Sequence, residues 1–136
     1  MDPSVSEALF DEEVGKMRQW VRFKDGRWAI VSATFPDLIV ELPHPSGLRR
    51  RFRLRCDDWN EKPPSVKSVN AAGEELPSEP TGGKWMRLNT GYGLCAEWTR
   101  EYHAHHTNNP WSSHQEEITL ARIVASVAKH YRAARA

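Results

Sequence analysis

Cysteine is scarce in this chain. Two occur among 136 residues, too few for a disulfide scaffold to stand in for a hydrophobic core. Neither sign of charge is in excess: 19 Lys and Arg face 18 Asp and Glu, a formal net charge of +1. That balance gives no global attraction to nucleic acid or to an anionic membrane, and neither is expected as a partner. No apolar run approaches the ~20 residues that span a bilayer. The N-terminal stretch MDPSVSEALFDEE is acidic, unlike a signal peptide. A reducing, cytoplasmic setting is therefore expected. Internal repeats and low-complexity tracts are also missing. The mean hydropathy of −0.68 is polar, yet six Trp and four Phe supply what disordered chains lack. One domain over residues 1–136 is expected, large enough to bury roughly two-thirds of its unfolded surface.

The pattern predicts an α+β order. Residues 4–21 read as an amphipathic helix, with Ser4 and Glu7 at capping-box spacing. Leu9 or Phe10, Val14, Met17 and Val21 would form its apolar stripe. Lys24-Asp25-Gly26 is a turn signal. Strands are expected over 28–33, 37–42, 49–56 and 65–69, making a four-stranded antiparallel meander with HPSG (44–47) as a hairpin connection. In the third strand Phe52, Leu54 and Cys56 alternate with Arg51, Arg53 and Arg55, which gives one apolar and one basic face. Residues 71–93 lack periodicity and read as a long loop, a feature that is often functional. A last helix is expected from about 114 to 133, with Ser113 and Glu116 as a capping box. Leu120, Ile123, Val124, Val127 and Tyr131 would form its buried face.

Chemistry concentrates in residues 93–114, GLCAEWTREYHAHHTNNPWSSH. Cys95, Glu97, Glu101 and four of the six histidines (His103, His105, His106 and His114) fall there. Thiolate, carboxylate and imidazole are the side chains that bind zinc. Cys95 and Glu97 share a side if extended, and His103 and His106 share a face on a helical turn. One ion held by Cys95, Glu97 and two histidines is thus within reach, as a structural or a catalytic site. Two other accounts stand beside it: Cys95 alone as a nucleophile whose pKa a histidine lowers, and a polar surface loop. Cys56 reads as core. The arginine stripe reads as a solvated edge face or a docking face for an acidic partner. Trp98 and Trp111 either wall the cluster from water or simply pack; His44 and His130 need only surface or packing roles.

Two resemblances follow. The helix, the meander, the paired Pro63-Pro64, Gly93-Leu94-Cys95, Trp111 and the final helix resemble the order of a ubiquitin-conjugating (E2) domain. That likeness implies an E2/UBC-like α+β fold, an N-terminal helix, a four-stranded antiparallel meander, a long active-site loop and a C-terminal helix, with Cys95 as the catalytic residue. The His-Pro-Asn signature of such enzymes is absent; Asn89 precedes Cys95 without it, which puts oxyanion stabilisation in doubt.

The order Cys95, Glu97, His103 and then His105 or His106 resembles the predicted metal-binding CEHH family of bacteria, encoded beside ubiquitin-like conjugation genes. It implies zinc on Cys95, Glu97, His103 and either His106 or His105. It also implies partners among a ubiquitin-like protein and E1, E2 or JAB-type proteins of the same system, in the setting of antiviral defence. The alternatives are a cysteine-dependent conjugating enzyme with a thioester on Cys95, and a non-catalytic protein-binding module.

Overall fold

The computed structural model describes residues 1–89 and 91–136. Helix α1 (Pro3–Arg18) and the short α2 (Val21–Lys24) precede a meander of β1 (Ala29–Thr34), β2 (Asp37–Pro43), β3 (Arg49–Arg55) and β4 (Ser65–Val69). The sheet order is β1-β2-β3-β4, antiparallel throughout. A two-stranded hairpin follows, β5 (Trp85–Leu88) with β6 (Gly91–Leu94), then α3 (Arg100–His105), a 3₁₀ turn (Trp111–Ser113) and α4 (Leu120–Ala133). The mixed α+β architecture and the four-stranded meander agree with the sequence expectation. No helix among the described residues is long and apolar enough to cross a membrane.

The sheet is two-sided because its strands alternate. Leu38, Val40 and Leu42 of β2 and Phe52 and Leu54 of β3 are fully buried on one side. On the other side the arginines meet carboxylates: Arg49 and Arg51 pair with Glu41, Arg53 with Glu75, and Arg55 with Asp37. The basic stripe is thereby a compensated surface of paired charges. Over the apolar face lies α4, with Ile123, Val124, Val127 and Tyr131 buried as expected. Phe52 packs edge-on against Tyr131, ring centroids 5.2 Å apart, and lies 5.7 Å from Trp85. Phe10, Val14 and Met17 of α1 complete this core. Cys56 is buried beside them, where loss of hydration pushes its thiol pKa far up; both cysteines are free.

Several boundaries differ from expectation, each for a local reason. Asp2, not Ser4, caps α1: its carboxylate accepts the Ser4 N–H at 2.8 Å and the Ser4 hydroxyl at 2.7 Å, and Pro3 opens the helix. Val21 leaves the apolar stripe and is 59% exposed, since the chain breaks at Gln19 and restarts as α2. The last helix begins at Leu120, not 114, and Ser113–Glu116 makes no capping box. Thr119 caps it through the Arg122 N–H at 3.2 Å, and Glu13 of α1 accepts the Leu120 N–H at 2.9 Å. Ahead of it the His114 carbonyl accepts from Glu117 and Ile118, a single turn that does not propagate. The expected long loop contains the β5–β6 hairpin.

The outer edge of β4 is closed by side chains. Glu101 accepts the Val66 N–H at 2.8 Å and Glu79 the Ser68 N–H at 2.7 Å. The Leu76 N–H donates to the Ser68 carbonyl at 3.0 Å. A strand edge presents unpaired backbone groups that must find partners, and here they do.

Candidate functional site

The site is assembled where β6 hands the chain to α3. Leu94 is buried, and the next N–H, that of Cys95, donates to the Lys84 carbonyl at 2.9 Å, which extends the hairpin by one more bond. Thr99 then ends the connection. Its hydroxyl donates to the Ala96 carbonyl at 2.8 Å and accepts the Tyr102 N–H at 3.2 Å, capping α3. Between them Trp98 adopts a φ of +72°, which a bulky side chain rarely accepts and which is held only where the surroundings require it.

Helix α3 has few residues of its own to bury and is held from outside. The Arg100 N–H donates to the Pro64 carbonyl at 2.9 Å, its Nε to the Pro63 carbonyl at 3.1 Å, and its Nη2 to Asp57 at 2.6 Å. The paired prolines thus serve as an acceptor platform for the helix carrying the histidines. Burial raises the carboxyl pKa of Glu101.

Cys95 and His106 are brought together. The Cys95 Sγ lies 3.6 Å from His106 Nε2, and the thiol residue is 4% exposed. The His106 ring stacks on Tyr102 at 4.2 Å and 20°, which fixes its plane. With Zn–S near 2.3 Å and Zn–N near 2.0 Å, a tetrahedral angle separates sulfur and nitrogen by about 3.5 Å. The pair therefore fits two corners of a zinc site. Burial pushes the Cys95 thiol up, and the nearby Lys84 only partly opposes this. The unassisted thiol is a protonated, weak nucleophile at neutral pH.

The other candidates are placed differently. His105 is exposed, stands edge-on to His106 at 5.3 Å, and lines a separate cavity with Asn89, Lys67 and Glu101. Asn89 therefore does not share the Cys95 cavity. His103 uses both ring nitrogens locally: Nε2 accepts the Trp98 N–H at 3.1 Å, and Nδ1 donates to the Asn109 carbonyl at 2.8 Å. Burial lowers its pKa and keeps it neutral, as those bonds require. Glu97 is exposed, with its carboxylate 3.4 Å from Asn109 Nδ2. Among the described residues, no three Cys, His, Asp or Glu side chains converge closely enough to hold an ion.

Asn109 is the residue that sequence reasoning missed. Its Nδ2 donates to the Tyr102 hydroxyl at 3.1 Å as well as facing Glu97. Its Oδ1 lies 2.8 Å from His114 Nε2, its carbonyl accepts from His103, and its N–H donates to the His106 carbonyl at 3.1 Å. It thereby connects Glu97, Tyr102, His103, His106 and His114. The only sequence signal was a pair of asparagines ahead of Pro110, which reads as an ordinary turn. Trp111 packs 5.7 Å from His103 and donates to the Asn60 carbonyl, so it supports the cluster from below.

Cys95 opens onto a cleft of about 610 Å³ that Trp20, Trp98, Tyr102 and α4 also line. His130, expected to play a bland role, lies on its wall. No family model matches this chain, and no curated protein matches it.

Proposed function

We propose that the chain is a zinc-binding protein of E2-like architecture that assists a bacterial ubiquitin-like conjugation system. One observation carries the metal reading: the sulfur of Cys95, which lines the cleft, stands 3.6 Å from the His106 Nε2, close to the separation of two ligands on one zinc ion. Cys95 and His106 would hold the ion; Glu97, exposed on the same cleft and facing Asn109, would have to turn toward them to serve as a third donor. His103 positions the loop from behind through Trp98 and Asn109. When bound, zinc supplies thiolate formation at neutral pH and a Lewis-acid centre facing the cleft. The element order from α1 through the meander, the cysteine-bearing connection and α4 supports the E2-like part. The assignment to conjugation rests on the CEHH pattern of Cys95, Glu97 and the histidines.

The raised thiol pKa and low exposure of Cys95 count against an unassisted thioester-forming nucleophile. Metal analysis of the purified protein tests the proposal. Stoichiometric zinc is expected in the wild type and in His105→Ala, and its loss in Cys95→Ala and His106→Ala. Zinc-free wild type would exclude metal binding. A reducible adduct on Cys95 with a ubiquitin-like protein and its activating enzyme, in zinc-free protein, would establish the conjugating enzyme instead.

A further inference from the structure

The cleft beside Cys95 is rich in cations. Lys84, Arg122 and Lys129 all line it, and all three are exposed. Among the described residues none of them makes an ion pair, whereas the arginines of β3 are matched to carboxylates. Arg122 instead lies over the Trp98 ring at 5.1 Å, and Trp20 forms another wall. The Trp98 Nε1 is a buried donor without an acceptor. We propose that this cleft binds a short acidic peptide segment with apolar residues, its carboxylates meeting Lys84, Arg122 and Lys129 and its apolar side chains lying against Trp20.

Three features select that chemistry. The lysines share one wall system: Lys84, Lys129 and His130 line the same cleft, and after burial both lysine charges lower the His130 pKa further. The volume, about 610 Å³, lies in the range of organic ligands and far exceeds an inorganic anion. The cations also form an island. Glu97 stands on the same cleft, and the adjoining cavity, which shares Trp20 and Arg122, is lined by Glu12, Glu13 and Glu116. A long polyanion such as nucleic acid would run on to Glu12, Glu13 and Glu116 of the adjoining cavity, whereas a short segment would face Glu97 alone against three cations. Nothing here depends on a metal at Cys95.

Tryptophan fluorescence provides the test, since Trp20 and Trp98 line the cleft. The probe is a capped hexapeptide alternating glutamate and leucine, titrated at low salt into zinc-loaded and chelator-treated protein alike. A saturable response is expected in both, weakened by at least about tenfold in Lys84→Gln/Lys129→Gln and by added salt. Arg122→Gln is expected to weaken it too. Both lysines are exposed, and an unchanged circular dichroism spectrum checks folding of the variants. Absence of a saturable response, an affinity unchanged in the variants, equal binding of a lysine–leucine hexapeptide, or tighter binding of inorganic phosphate or single-stranded oligothymidylate would overturn the proposal.

Discussion

His103 Nε2 accepts the backbone N–H of Trp98 at 3.1 Å, and Trp98 presents that N–H from a left-handed backbone with φ of +72°. The imidazole thereby stabilises a strained conformation next to Cys95, while its other nitrogen holds Asn109. Replacing it leaves a backbone donor and a carbonyl without partners. We expect His103→Ala to destabilise the metal-free protein by about 1–3 kcal/mol in urea unfolding. His106→Ala, which breaks the contact with Cys95, the stack on Tyr102 and the edge contact with His105 but leaves no backbone group unpartnered, should cost the metal-free protein less. An inverted order would mean that His103 has no positioning role.

Asn109 connects Glu97, Tyr102, His103 and His114. Asn109→Ala keeps the backbone bonds and removes the side-chain ones. A loss of about 1–2 kcal/mol in stability is expected, together with zinc affinity lower by about 10–100-fold, the usual effect of losing groups that orient ligands. Competition with a chromophoric chelator measures the affinity. Unchanged affinity would show that Glu97 and the histidines hold their orientation without it.

Glu79 gives a pH dependence of definite sign. Burial raises its pKa above the ordinary 4.5, and the bonds from Ser68 only partly offset this. The folded chain therefore holds this proton to higher pH than the unfolded chain does. Its contribution to stability is fully present below about pH 4.5, falls as pH rises through the folded pKa, and is level above it. Glu79→Gln should flatten that part of the stability profile between pH 4 and 7. The profile of the difference between the two proteins, from denaturant unfolding at each pH, isolates it from Asp57 and Glu41, whose arginine partners depress their pKa values and give the opposite slope.

The arginine stripe should be nearly silent in stability. Arg51 reaches Glu41 at 3.4 Å on a partly exposed surface, and Glu41 is shared with Arg49 at 2.9 Å. Arg51→Gln is expected to cost less than about 1 kcal/mol. Thermal unfolding at low and high salt checks this. A larger loss would show that the paired charges of this face act as a network.

The meander was legible because period-two alternation in Arg49–Arg55 and a buried apolar set in Asp37–Pro43 are local signals with one structural solution. Strand Ser65–Val69 emerged from the paired prolines in front of it. The β5–β6 hairpin was not legible. Its strands are four residues each, one is half glycine, and its order comes from Trp85 packing on Phe52. The start of α4 was misplaced because Ser113 and Glu116 have helical spacing, yet the true cap draws on Glu13, more than 100 residues away. At the candidate site, residue types drew attention to residues 93–114, and spacing alone left His105 and His106 equivalent. The end of α3 separates them, turning His106 to Cys95 and His105 outward.

The closed edge of β4 has a mechanical consequence. Glu101, which takes the Val66 N–H, belongs to the same helix as His103 and His105. A visiting strand could add to β4 only by displacing that carboxylate and loosening the helix from its seat. Growth of the sheet on this side would therefore compete with one of the contacts that seat the histidine-bearing helix. β1 is the opposite edge of the sheet, and a strand added there would not meet Glu101.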